Sequence, residues 1–99
     1  MTEAAVTRRI GAFVHWREWD GEIVAYNDRT GDTHHFADLA AWLFRLLTRA
    51  PASDEAIAAA AAEEIELPPA IDRDAVIARA LDLFARLDLL ADDERKDAA

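Results

Sequence analysis

Cysteine is absent from this chain. Disulfides, thiolate metal sites and cysteine nucleophiles are therefore excluded. Glycine is scarce, at three in 99 residues, and no glycine-rich loop of the kind that cradles a phosphate occurs. Positive charge is also short. Eleven Lys and Arg stand against twenty Asp and Glu, for a formal net charge of -9. A duplex-binding domain normally has the opposite balance, because neutralising phosphates supplies most of its affinity. Acidity of this size more often serves solubility. Long apolar runs are missing too: no segment can span a bilayer, and the opening M-T-E-A-A-V-T-R-R-I has no signal-peptide core. The expectation is one cytoplasmic domain that uses neither membrane nor nucleic acid.

What is present is organised around Trp19 to Phe36, W-D-G-E-I-V-A-Y-N-D-R-T-G-D-T-H-H-F. Asp20-Gly21 separates two strand-like runs, Phe13 to Trp19 and Glu22 to Asn27. Asp-Gly is the pair that a type I′ hairpin turn selects, since both central residues need positive φ. Asn27 to Gly31 is a second turn cluster with Gly31 suited to a left-handed position, and Asp32 to Phe36 follows as a third strand. The pattern predicts a three-stranded antiparallel meander, too small to stand alone. A two-residue turn at Asp20-Gly21 pairs Trp19 with Glu22, Arg17 with Val24 and Trp16 with Ala25. A four-residue loop at Asp28 to Gly31 pairs Asn27 with Asp32, Ala25 with His34 and Ile23 with Phe36. Alternation then collects Val14, Trp16, Ile23, Ala25, His34 and Phe36 on a core face, and His15, Arg17, Val24, Tyr26, Thr33 and His35 on the other.

Three helices are expected after the meander. Asp38 is placed to cap the first, with a stripe of Leu39, Trp42, Leu43, Leu46 and Leu47 that Pro51 ends. Ser53 caps the second, an alanine-rich helix with Ile57, Ala61 and Ile65 inward. Asp72 caps the third, from Arg73 to about Asp88, on a centre line of Val76, Ala80, Phe84 and Leu87. The apolar arc of this last helix covers about half its circumference, more than the roughly 100° one buried face needs. Burial between two elements and a groove lined for a partner both account for that width. The fold class is α+β, winged-helix-like. Residues 1–11 read as a flexible segment, with Val6 and Ile10 able to extend the first strand or pack at its edge. Residues 12–90 read as the domain and 91–99 as a disordered acidic tail.

Little suggests catalysis. His34 and His35 are adjacent on a strand and point to opposite faces, so they cannot share a metal. His15 and His35 share a face but lie diagonally across the middle strand. No serine-histidine-aspartate constellation, metal-ligand spacing or cofactor motif is present, and the acidic pairs Glu63-Glu64 and Asp92-Asp93 read as solvated. An enzyme is not expected. What remains is topological: the last strand of a meander leaves one edge unpaired, and an open edge beside an apolar helix can accept an extended peptide. A protected edge, and pairing with a second copy as a homodimer, are the competing uses of the same backbone.

H-W-R-E-W-D-G-E-I-V-A-Y-N-D-R-T-G-D-T-H-H-F, with L-A-A-W-L-F-R-L-L and a closing R-L-D-L-L, resembles the PqqD-like family, in particular its HPr-rel-A system branch. The G-D-T-H segment at Gly31 to His34, with Phe36 after it, carries most of that resemblance. Asp88 departs from it, where glycine is common. The resemblance implies a small winged-helix-like peptide chaperone, or RiPP recognition element, that binds the leader of a precursor peptide for a modifying enzyme. It further implies a cleft between the third strand (Asp32, Thr33, His34, His35) and the third helix (Val76, Arg79, Ala80, Leu83). The alternatives are a DNA-binding winged helix reading through Arg73, Arg79 and Arg86, and a structural partner of an HPr-kinase-related enzyme.

Overall fold

The computed structural model describes residues 7–91; the expectations for residues 1–6 and 92–99 lie outside the described residues. The elements are β1 (Thr7–Arg8), β2 (Val14–Trp19), β3 (Glu22–Asn27), β4 (Thr33–Phe36), α1 (Asp38–Arg49), β5 (Ala52–Ser53), α2 (Asp54–Glu64) and α3 (Arg73–Arg86). The chain is α+β. A three-stranded antiparallel sheet in the order β2-β3-β4 precedes three helices. Asp20 and Gly21 both have positive φ, 55° and 76°, as a type I′ turn requires. Trp19 faces Glu22, Ala25 faces both Trp16 and His34, and Ile23 faces Phe36. Gly31, at φ 80°, takes the left-handed position expected of it.

The core lies between the sheet and the helices. Three phenylalanines form its centre. Phe84 meets Phe36 edge-on at 5.1 Å and Phe44 at 6.0 Å, while Phe36 and Phe44 lie 5.8 Å apart. Val14, Ile23, Ala25, Leu43, Leu47, Ile57, Ala61, Ile77, Leu81 and Leu89 close around them. Leu46 and Leu87 are only half-buried at its margin. Trp16 departs from the core-face expectation and is 39% exposed. It stands on β2, an edge strand of the sheet, with its ring edge-on to Phe44 at 5.6 Å.

Two helices also turn relative to the expected stripes. In α1 the buried set is Ala41, Leu43, Phe44 and Leu47, because Ala41 and Leu47 lie three residues either side of Phe44 and share its face. In α3 the buried set is Ile77, Leu81 and Phe84, with Val76, Ala80 and Leu87 half-buried beside it. Ser53 and Asp72 cap α2 and α3 as expected, accepting from the amides of Ala56 and Ala75 at 3.0 and 3.2 Å. Asp38 does not cap α1. It is the first helical residue, at φ 55°, behind Ala37, which makes no side-chain cap bond.

Residues 7–11 differ most from expectation. β1 pairs with β5, Thr7 against Ser53 and Arg8 against Ala52. Ile10 bridges Leu90 and donates its amide to Leu47 O, and Gly11 donates to Leu89 O. Ala91, expected to open the tail, donates to Arg9 O at 2.9 Å. The segment thus ties the end of α1 to the chain beyond α3. Its alternation is too short to announce such pairing, since half of each bond comes from residues at least 37 positions away.

Candidate functional site

The expected site has two halves, a strand edge and a helix flank. The β3–β4 ladder begins where Asn27 N–H donates to Asp32 O at 2.8 Å. In an antiparallel ladder, bonded and non-bonded pairs alternate. Ala25–His34 and Ile23–Phe36 are therefore the next bonded pairs, and Val24–His35 and Tyr26–Thr33 the non-bonded ones. The backbone groups of Thr33 and His35 point away from β3. No backbone group among the described residues pairs with them, because β4 ends the sheet. The ladder with β2 is in phase with this assignment, since Asp28 N–H donates to Phe13 O at 2.9 Å. It leaves the outer side of β2 without a strand neighbour among the described residues at Trp16 and Glu18, while Val14 N–H donates to Gly11 O at 3.0 Å.

The side chains on β4 divide by face. Thr33 and His35 are exposed, and His35 Nε2 lies 2.6 Å from Glu22 Oε1. His34 turns to the core side, half-buried and stacked on Phe36 at 6.3 Å. Its Nε2 is buried and has no hydrogen-bond partner among the described residues. A buried nitrogen of this kind carries a desolvation penalty until something bonds to it. Asp32 stays at the exposed mouth of the loop, its amide donating to Thr30 Oγ1.

Two attachments set α3 beside this strand. Phe84 packs on Phe36. At the far end the β3–β4 turn grips the helix terminus: Asn27 Nδ2 donates to Leu87 O at 3.2 Å and to Asp88 O at 2.7 Å. Asn27 is fully buried. Its Oδ1 accepts from the amides of Arg29 and Thr30, so this one side chain orders the turn and caps the helix together. The helix closes in a Schellman motif, with Leu89 N–H on Phe84 O and Asp88 N–H on Ala85 O. Asp88 holds the left-handed position at φ 61°, where the resemblance led us to expect glycine. Its carboxylate instead meets Arg29, at 2.8 and 3.2 Å.

Of the helix residues named from the sequence, Val76 and Ala80 are half-buried, while Arg79 is exposed and makes no ion pair among the described residues. Leu83 is 36% exposed. On the wheel these four follow one flank of α3, opposite the flank of Ile77, Ala78 and Leu81 that borders α2 across a crevice of about 260 Å3. β4 and α3 meet through Phe36 and Phe84, with His34 stacked on Phe36; neither phenylalanine is among the residues named from the sequence for the site. No hydrogen bond or ion pair joins the two halves among the described residues. No three His, Cys, Asp or Glu side chains converge on a metal position there either, and no described helix is long and apolar enough to cross a membrane.

Sequence reasoning assigned no role to the opposite sheet face, where Trp19 and Tyr26 are exposed. The alternation that placed the core face was signal enough to find it. No family model, curated protein or solved structure matches this chain.

Proposed function

We propose that this chain is a non-catalytic peptide-binding module. It takes an extended segment of a precursor peptide as a fourth strand on β4 and presents that peptide to a modifying enzyme. The observation that carries this reading is the outward backbone of Thr33 and His35, unpaired among the described residues, on a strand that packs against α3 through Phe36 and Phe84 while Leu83 stays in reach of solvent. Backbone hydrogen bonds would fix register, and alternate peptide side chains would enter between β4 and α3. The orphaned His34 Nε2 gives such a side chain a polar partner, and Arg79 gives an acidic one a cation. The resemblance to PqqD-like peptide chaperones supports the same reading.

Duplex binding is the reading it displaces. Of the three arginines on α3, Arg73 donates to Ile65 O and Arg86 pairs with Asp82, which leaves Arg79 alone for phosphate on a chain of net charge -9. Submicromolar, salt-sensitive binding to duplex DNA would restore it.

The test of the peptide reading is amide chemical-shift perturbation with leader peptides taken from precursor genes adjacent to this one. Shifts should cluster on Asp32 to Phe36 and on Val76 to Leu83. Proline at Thr33 or His35 should weaken binding more than alanine does, since it removes an outward donor and spares the β3–β4 ladder. Leu83→Asp should weaken binding while leaving the fold intact. Shifts confined to other surfaces would refute the assignment.

A further inference from the structure

The other side of the sheet supports a separate conclusion. Register places His15, Arg17 and Trp19 of β2, Val24 and Tyr26 of β3 and Thr33 of β4 on one face, away from the helices. Trp19 is 59% and Tyr26 42% exposed. Together with Trp16 at the edge, these residues line a depression of about 460 Å3. Scattered apolar residues on a surface need no explanation, but aromatic groups gathered around one depression mark an interaction site.

Charge identifies the occupant. The chain carries twenty carboxylate residues, yet none lines this depression. Of the acids near its border, Glu22 lies 2.6 Å from His35 Nε2 and Asp28 lies 3.6 Å from His15 Nε2. Arg17 makes no hydrogen bond or ion pair among the described residues, and it lines the depression together with Trp16, Trp19 and Tyr26. A guanidinium's forked donors match a carboxylate, and neighbouring Trp and Tyr supply the apolar contact that anchors an interface. A polyanion would meet the field of the whole acidic chain. A single carboxylate meets chiefly the charge within a Debye length.

We propose that this face docks a protein partner through a short acidic segment bearing an aromatic or large aliphatic side chain, its carboxylate on Arg17 and its apolar group against Trp19 and Tyr26. The conclusion does not rest on the β4 reading, which uses the backbone edge of β4, whereas this one uses side chains of β2 and β3 and shares only Thr33 with it.

The experiment is an NMR titration of the full chain with a short, terminally capped synthetic peptide that carries one glutamate flanked by phenylalanines. A lysine–phenylalanine counterpart and oligouridylate are run beside it. The glutamate peptide should move the Trp19 indole and Arg17 guanidinium signals saturably. The Trp42 indole, which donates to Glu64 at 2.8 Å between α1 and α2, should stay still. Arg17→Glu should weaken binding by about tenfold or more, as the loss of one charge-assisted bond implies, with an unchanged Trp42 signal reporting an intact fold. Equal binding of the lysine peptide, or movement of Trp42 without Trp19, would overturn the proposal. Tighter binding of oligouridylate would replace the protein partner with single-stranded nucleic acid. Concentration-dependent shifts at Trp19 without any peptide would replace it with a second copy of this chain.

Discussion

Replacing Asn27 with alanine probes how the turn and α3 are joined. The side chain makes four hydrogen bonds: two donated to Leu87 O and Asp88 O at 3.2 and 2.7 Å, and two accepted from Arg29 and Thr30 at 2.8 and 3.3 Å. An intramolecular hydrogen bond contributes a net of about 1 kcal/mol, and a buried group left unpaired costs about 1–3 kcal/mol. The Arg29 and Thr30 amides lie in an exposed turn where water can replace the lost acceptor, so most of the penalty falls on the two helix-terminal carbonyls. The expected loss is therefore about 2–4 kcal/mol, a large share of the 5–15 kcal/mol typical of a domain.

Urea denaturation followed by circular dichroism measures that loss directly. Hydrogen exchange at Leu87 to Leu89 should accelerate ahead of the strand amides, because the helix end is released first. Asn27→Asp sharpens the test. One carboxylate oxygen can keep the turn amides, but the other must face two carbonyl oxygens, which favours the protonated form and raises the folded-state pKa. The variant should be most stable in acid and lose stability as pH rises through that folded value. A loss under about 0.5 kcal/mol for Asn27→Ala would mean these bonds exchange freely with water, and the joint between turn and helix would need another explanation.

The meander was legible because its information is local. Asp20-Gly21 and Gly31 demand positive φ, and once both turns are set, period-two alternation assigns every side chain to a face. The strand half of the candidate site followed from the same rule. Helix rotation was harder to read. In α1, Phe44 stood outside a leucine stripe, and only with Ala41 counted as an apolar anchor does its face become the buried one. In α3 an apolar arc wide enough for several centre lines left the choice to tertiary contacts with α2. Asn27 looked like a turn residue and nothing more, because its partners at 87 and 88 are sixty residues away. The same distance hid the pairing of Thr7 and Arg8 with β5.

Phe36→Ala and Phe84→Ala should each cost about 3–5 kcal/mol, since both open the centre of the core; unchanged thermal melts would misplace that centre. The Arg8 guanidinium bonded to Asp54 holds the Asp54 carboxyl below the usual carboxylate range, against a smaller opposing effect of burial. A lowered folded-state pKa contributes stability above the unfolded value and loses it as pH falls through the folded one. The pair is solvent-exposed and its contribution accordingly small. Arg8→Gln should return the Asp54 carboxyl to ordinary titration by NMR, and no change would mean the pair does not persist in solution. Asp88→Gly sets two effects against each other. Glycine removes the cost of about 1–2 kcal/mol that an L side chain meets at positive φ, reduced here because aspartate tolerates that region. It also gives up the Arg29 ion pair, which is partly exposed and worth about 0–1 kcal/mol. The carbonyl of residue 88 still accepts from Asn27 in the variant, so the net change should stay within about 1 kcal/mol of zero. Asp88→Val should be clearly destabilising, because a β-branched residue meets the backbone cost in full and brings no partner for Arg29. Destabilisation by Asp88→Gly that exceeds about 2 kcal/mol and disappears in high salt would show that the ion pair, rather than the left-handed backbone, holds this end of the helix.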